Sequence, residues 1–90
     1  MTEQILRLRD TNLEWRAVEG EVVALDMTKS AYLAVNDSGR RLWEELARGT
    51  TRNALVELLV SSYGLDRDRA ETDTAAFLSE LEQRGLLASP

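Results

Sequence analysis

Residues 21–36 read EVVALDMTKSAYLAVN and contain two short segments in which apolar and polar side chains alternate. This two-residue period is typical of half-buried strands, and it predicts strands at 21–26 and 31–35. The side chains that we expect to face the core are Val23 and Leu25 in the first strand, and Leu33 and Val35 in the second. The four residues between the strands suffice for a hairpin, so this stretch predicts the centre of an antiparallel sheet.

The sequence before residue 21 alternates in the same way, and it predicts further strands at 4–9 and 12–18. Between the second of these and the strand at 21–26 stands Glu19-Gly20. Glycine adopts a positive φ at little cost, which suits the two-residue turn of a hairpin. The inward side chains are predicted to be Leu6 and Leu8 in the first strand, and Leu13, Trp15 and Ala17 in the second. We therefore expect a three- to four-stranded antiparallel meander with one apolar face.

After Asn36 the apolar residues recur with a helical period. Helices are predicted at 37–48, 51–63 and 67–84. The candidate capping residues are Asn36 or Asp37 for the first helix, Thr50 or Thr51 for the second, and Asp66 or Asp68 for the third. A strand meander followed by three helices predicts a single α+β domain over residues 1–90, with a winged-helix-like architecture.

The composition argues against several classes of function. The 90 residues include no cysteine and no histidine, which removes thiolate chemistry, the commonest general base and the commonest zinc ligand. Sixteen acidic residues against eleven basic ones give a net charge of −5, the wrong sign for neutralising phosphates. We therefore predict no catalytic site, no metal, no cofactor and no nucleic-acid partner.

The targeting signals that direct a chain to membranes or to secretion are not evident in this sequence. The first residues, Met1-Thr2-Glu3-Gln4, lack the basic start and apolar stretch of a signal peptide. The longest apolar runs are only a few residues, too short to span a bilayer. We expect a cytoplasmic protein with no membrane partner.

Several short motifs follow one another from Leu13 to Leu87. They are Val22-Val23-Ala24-Leu25, Tyr32-Leu33-Ala34-Val35-Asn36, Gly39, Leu42-Trp43, Gly49-Thr50, Phe77-Leu78 with Leu81, and Gly85-Leu86-Leu87. Each motif is also ordinary core patterning, but their order and spacing together resemble the PqqD family of peptide-recognition domains. The resemblance covers nearly the whole chain.

The resemblance implies a binding function without catalysis. Members of the family bind the leader segment of a ribosomally synthesised precursor peptide, which adds a strand to the small sheet and rests against the third helix. The length of this chain resembles the stand-alone recognition proteins of lasso-peptide biosynthesis, whose partners are a leader peptidase and a cyclase. The chain is also similar to the PqqD-type chaperone of pyrroloquinoline-quinone biosynthesis, which stays open as an alternative.

A winged-helix transcription regulator is a more distant alternative, from a different class of function. Such proteins usually present their third helix to DNA. Here that helix and the preceding Asp66 carry six acidic residues against three basic ones, so a phosphate-lined groove would repel it.

Under this resemblance the strand at 31–35 is the edge that receives the leader, because it carries no charge or proline that would protect it. On the third helix, successive residues are about 100° apart, and this spacing places four residues on one flank of Phe77. They are Arg69, Asp73, Ala76 and Glu80. The small Ala76 would leave space there for a bulky leader side chain, while a solvated charged face is the alternative. The residues predicted to contact the leader are Val23, Leu25, Tyr32, Leu33, Ala34, Val35, Arg69, Asp73, Ala76, Phe77 and Glu80.

Overall fold

The computed structural model describes residues 4–88. The elements follow in the order β1 (Leu13–Val18), β2 (Glu21–Asp26), β3 (Ala31–Val35), α1 (Asp37–Arg48), α2 (Arg52–Tyr63) and α3 (Arg67–Gln83). The strands form one antiparallel sheet in the order β1-β2-β3. The predicted α+β class, three strands followed by three helices, is confirmed. No helix within the described residues is both long and apolar enough to cross a membrane.

The turn between β1 and β2 fixes the register of the hairpin. Glu19 and Gly20 have φ values of 50° and 84°, as a two-residue hairpin turn with two left-handed residues requires. Val18 therefore lies opposite Glu21, and Ala17 lies opposite Val22.

This register corrects the predicted inner face of β2. Residues that lie directly opposite one another point to the same side of a sheet. Val22 and Ala24 are consequently buried with the inner residues of β1, whereas Val23 and Leu25 lie on the outer face. The prediction for β2 was wrong because this strand is apolar at both alternating sets of positions. The predicted faces of β1 and β3 agree with the register.

The segment predicted as a first strand, residues 4–9, does not join the sheet. Leu6 forms an isolated bridge with Thr50, and Leu8 forms another with Leu87. The side chains of Leu6 and Leu8 do pack inward, but they pack against the helical layer and the C-terminal segment. The sheet therefore has three strands, the lower of the two numbers predicted, and the strand predicted at 4–9 is not part of it.

Each helix begins at a side chain that accepts a hydrogen bond from a free backbone N–H. Asn36 Oδ1 accepts from Gly39 N at 3.1 Å, Thr51 Oγ1 from Ala54 N at 3.1 Å, and Asp66 Oδ1 from Arg69 N at 2.8 Å. Of the candidate capping residues, Asn36, Thr51 and Asp66 are therefore the ones that cap the helices. Side chains of the sheet and of all three helices meet in one core, whose largest fully buried members are Trp43, Leu46, Leu55, Leu81 and Leu86.

Candidate functional site

A groove of about 730 Å³ separates β3 from α3. Its apolar lining comes from the strand, from all three helices and from the residue after Gly64. These lining side chains are Leu33, Val35, Leu42, Leu59, Leu65, Phe77 and Leu81. A smaller cavity of about 200 Å³ adjoins the groove, since Leu33 and Arg84 line both. Together they offer an elongated surface beside the edge of the sheet.

The strand β3 is an edge strand, and its pairing with β2 leaves one side of its backbone free. Met27 N donates to Asn12 O at 2.9 Å, and these residues continue the β1–β2 register directly opposite each other. In an antiparallel ladder, hydrogen-bonded pairs alternate with non-bonded pairs. The alternate residues of β2 that lie between the bonded ones, including Ala24, therefore direct their peptide groups at β3.

The same alternation fixes the direction of the peptide groups in β3. Leu33 and Val35 lie opposite Ala24 and Val22, so their N–H and C=O groups bond with β2. The N–H and C=O groups of Tyr32 and Ala34 consequently point away from β2, toward the open edge. Ala34 lines the groove and Tyr32 lines the adjoining cavity. The groove thus contains donors and acceptors with the two-residue spacing of a strand.

A glycine lets three elements approach at one end of the groove. A Cβ on Gly39 would overlap Val35 Cγ1 and would lie 3.3 Å from Phe77 Cε1. Gly39 is buried in the first turn of α1, where β3 ends and α3 passes. A side chain at this position would push apart the two walls that define the groove.

A polar network holds Tyr63, the last residue of α2, in the wall of the groove. Tyr63 Oη donates to Asp37 Oδ2 at 2.9 Å, and Arg40 Nη2 donates to Asp37 Oδ1 at 3.0 Å. Two hydrogen bonds lower the pKa of Asp37. The one from Arg40 has the larger effect, and the one from Tyr63 has the smaller effect. The pKa of Tyr63 is raised, mainly because the phenol is partly buried and to a lesser extent because it donates a hydrogen bond to Asp37. The hydrogen bond to Asp37 therefore fixes the position of the Tyr63 hydroxyl.

The wall formed by α3 carries two ion pairs between residues four apart. Arg69 Nε lies 3.2 Å from Asp73 Oδ2, and Arg84 Nε lies 2.6 Å from Glu80 Oε2. Both pairs are largely exposed, so each is worth little to folding, about 0–1 kcal/mol. Between them the small Ala76 and the ring of Phe77 face the groove. The wall therefore offers charges of both signs on either side of an apolar centre.

Residues 21–87 match the protein family described as "Coenzyme PQQ synthesis protein D (PqqD)". The match covers most of the sheet, all three helices and the C-terminal segment. The chain belongs to the PqqD family.

Two solved structures are similar to this PqqD-family chain over almost its whole length. One is described as "TbiB1 in Complex with the TbiA(beta) Leader Peptide"; it has a TM-score of 0.85 at 26% identity, and the alignment covers 93% of this chain and 96% of that one. Another is described as "Lasso peptide synthetase B1 complexed with the leader peptide"; it has a TM-score of 0.82 at 26% identity, covering 93% and 98%. No curated protein matches the chain.

The groove brings together most of the residues predicted from the sequence. Those that line it are Leu33, Ala34, Val35, Arg69, Asp73, Ala76, Phe77 and Glu80. The side chain of Tyr32 is 74% exposed, and this residue lines the adjoining cavity. Val23 and Leu25 lie outside the groove, on the outer face of the sheet, because of the register described above.

The groove also contains residues that the sequence analysis did not place there. They are Asn36, Ser38, Gly39, Leu42, Leu59, Tyr63, Leu65, Leu81 and Arg84. Leu42, Leu59 and Leu81 lie at positions where the helical period predicts an inward side chain. That period predicts burial, but it does not indicate which buried residues border a cavity. Arg84 follows Glu80 by four residues, and this spacing could have indicated its ion pair. The sequence carries no comparable signal for Tyr63.

Proposed function

We propose that this protein binds the leader segment of a ribosomally synthesised precursor peptide in lasso-peptide biosynthesis, and that the leader adds a strand to β3. The observation that carries the proposal is the free edge of β3 beside an apolar groove, with the peptide groups of Tyr32 and Ala34 directed outward. An extended peptide pairs with such an edge through its main chain. Both similar structures are described as complexes with a leader peptide, which supports this function.

Specificity would come from the side chains beside the edge. Every second residue of a bound strand points to the same side, so alternate leader side chains would face the groove. Bulky apolar residues suit the centre around Ala76 and Phe77. The ion pairs Arg69–Asp73 and Glu80–Arg84 can recognise charged leader residues at either end.

The proposed role is delivery rather than catalysis. The bound leader would be held for a separate leader peptidase, and the attached precursor would then reach a cyclase. Strand addition suits this role because it fixes the register of the leader by backbone pairing while leaving the rest of the precursor free.

A second candidate function follows from the description of the family. The family is named for the synthesis of coenzyme PQQ, so a precursor peptide of that pathway is the rival ligand. Strand addition to β3 would be the same in both cases. Parallel titrations with the two kinds of leader distinguish them, since the lasso proposal requires tighter binding of the lasso leader.

The experiment that tests the proposal removes one outward N–H from β3. Proline has no backbone N–H, so Ala34→Pro should weaken binding of a synthetic lasso-precursor leader peptide at least tenfold in isothermal titration. Ala17→Pro is the matched control: it removes an outward N–H from β1, the other edge of the sheet, and should leave leader affinity unchanged. Full-strength binding by a folded Ala34→Pro variant would refute strand addition at β3.

A second measurement covers the possibility that Ala34→Pro does not fold. The unaltered protein is titrated with leaders that carry a single backbone N-methyl group, moved one residue at a time. A strand on β3 directs only alternate amides at the protein, so the loss of affinity should appear at every second position. A loss that follows a helical period, or that is equal at all positions, would contradict the proposal.

A further inference from the structure

The sheet has a second free edge, on the side away from the groove. Among the described strands, β1 pairs with β2 alone, and each of its residues after Leu13 is exposed. Glu14 and Arg16 lie in hydrogen-bonded pairs with Leu25 and Val23, since these pairs alternate outward from Asn12 and Met27. The peptide groups of the intervening residues Leu13, Trp15 and Ala17 therefore point outward.

Two side chains of opposite charge stand at equal distances along the strand on either side of Trp15. Glu14 and Arg16 flank Trp15 and lie together on the outer face of the sheet, opposite two apolar neighbours in β2. Within residues 4–88, neither of these charged side chains forms an ion pair. The edge therefore carries one positive and one negative charge that no side chain of residues 4–88 pairs with.

We propose that a second copy of this chain pairs with β1, edge to edge and antiparallel, about a two-fold axis at Trp15. In this register Glu14 of each copy lies opposite Arg16 of the other, so the two unmatched charges pair twice. Leu13 lies opposite Ala17, and Trp15 lies opposite its own counterpart. These are the residues whose peptide groups point outward, so backbone bonding and charge pairing occur together.

Neighbouring registers that preserve the backbone bonding do not preserve the charge pairing. Moving one copy so that Leu13 lies opposite Trp15 brings the two Glu14 side chains together. Moving it so that Trp15 lies opposite Ala17 brings the two Arg16 side chains together. Like charges directly opposite each other in a sheet are destabilising, whereas opposite charges stabilise the pair. The charge pattern thus selects the register centred on Trp15.

Opposite charges are also closest in this register. Glu14 and Arg16 would form non-hydrogen-bonded pairs, in which the side chains approach most nearly. Trp15, 37% exposed with its ring 6.1 Å from that of Trp43, would become more deeply buried at the two-fold axis. The resulting six-stranded sheet would have a β3 edge at each end, so both grooves would remain open.

Sedimentation velocity over micromolar to millimolar protein concentration tests this proposal. The unaltered protein should show a reversible monomer–dimer equilibrium. Arg16→Glu and Glu14→Arg should each weaken dimerisation at least tenfold, because each places like charges opposite each other. Glu21→Arg is the matched control, since it reverses an exposed acidic residue of β2 away from the edge and should leave dimerisation unchanged.

Mixing the two weakened variants gives the decisive result. Glu14→Arg and Arg16→Glu complement each other across the two-fold axis, so their mixture should form a heterodimer at concentrations at which each variant alone is mainly monomeric. Leader binding by each variant should equal that of the unaltered protein, which separates this inference from the function of the groove. A protein that stays monomeric throughout, or a mixture that does not associate, would overturn the proposal.

Discussion

At the scale of single residues, the Asp26 carboxylate connects three parts of the chain. It is only 6% exposed and accepts from Arg9 Nη2 at 2.7 Å and from the backbone N–H of Thr28 at 3.0 Å. Arg9 also donates to Gly85 O at 2.9 Å. The pair therefore joins the N-terminal segment, the β2–β3 turn and the end of α3. The hydrogen bond from Arg9 is the main cause of a lowered pKa at Asp26, and burial opposes it.

This lowered pKa predicts how stability depends on pH. A carboxyl group whose folded pKa lies below its unfolded value, about 3.9, stabilises the fold above that value and loses its contribution as the pH falls through the folded pKa. Asp26→Asn should therefore lower the free energy of unfolding at neutral pH, and its deficit relative to the unaltered protein should shrink below about pH 4. Urea titrations at several pH values measure both.

The matched control for Asp26 is Asp10→Asn, which alters an exposed carboxylate close to Arg9 in sequence. Asp10 accepts a hydrogen bond from the neighbouring Thr11 hydroxyl. We expect its stability to follow that of the unaltered protein at every pH. A deficit for Asp26→Asn that stays constant from neutral to acidic pH would contradict the role assigned to the carboxylate charge.

At the scale of elements, the helices could be predicted from the sequence because independent local signals agreed. Each has a capping side chain, an apolar stripe and a glycine or turn near its end. The inner face of β2 was missed because Val22-Val23-Ala24-Leu25 is apolar on both sides of the strand. The turn at Glu19-Gly20 contained the answer, since counting back from it places Val22 opposite Ala17.

The candidate site also contains some residues that local sequence patterns indicate and others that depend on long-range packing. Helical geometry places Arg69, Asp73 and Ala76 on one flank of α3, but only the family resemblance indicated that this helix borders the leader, and the sequence did not decide which flank faces the groove. The contribution of α2 could not be predicted, because it depends on how α2 packs between α1 and α3. Tyr63 enters the groove for this reason, through its hydrogen bond to Asp37.

The charged wall of α3 gives a prediction about leader recognition. Asp73 and Glu80 already pair with Arg69 and Arg84, so a basic leader residue would share an existing carboxylate. Asp73→Asn should weaken binding of a leader with a Lys or Arg at that end by up to about fivefold, equivalent to about 0.2–1 kcal/mol. The melting temperature should hardly change. Isothermal titration at low and high salt measures the effect, which should diminish as salt screens the charge.

Glu71→Gln supplies the control for the charged wall. Glu71 is an exposed acidic residue of α3 that lies outside the groove, so this variant loses the same charge elsewhere on the same helix. We expect it to bind the leader as the unaltered protein does. Equal weakening by Asp73→Asn and Glu71→Gln would assign the effect to net charge rather than to contact in the groove.

At the scale of the whole molecule, residues 4–9 act as a tie between distant parts of the chain. Leu6 exchanges backbone hydrogen bonds with Thr50 at 2.6 and 2.9 Å, Arg9 N donates to Leu86 O at 2.7 Å, and Ala88 N donates to Arg7 O at 2.9 Å. The alternating pattern of this segment correctly indicated an extended chain with one buried side. It could not indicate the partner, because an extended segment pairs equally well with a sheet or with loops between helices.

The final prediction tests whether this tie stabilises the whole fold. Leu8 is 8% exposed within the core cluster, so Leu8→Ala should lower the free energy of unfolding by about 2–5 kcal/mol, the usual cost of emptying a core position. The amides of Thr50 and Ala88 bond to the segment, and their hydrogen exchange should accelerate with that of Arg9. Ile5→Ala, at a neighbouring residue that is 54% exposed, should change little. If Leu8→Ala accelerates exchange only at Arg9, Thr50 and Ala88, whose bonds involve the segment itself, and leaves the free energy of unfolding unchanged, the segment opens independently and does not stabilise the whole fold.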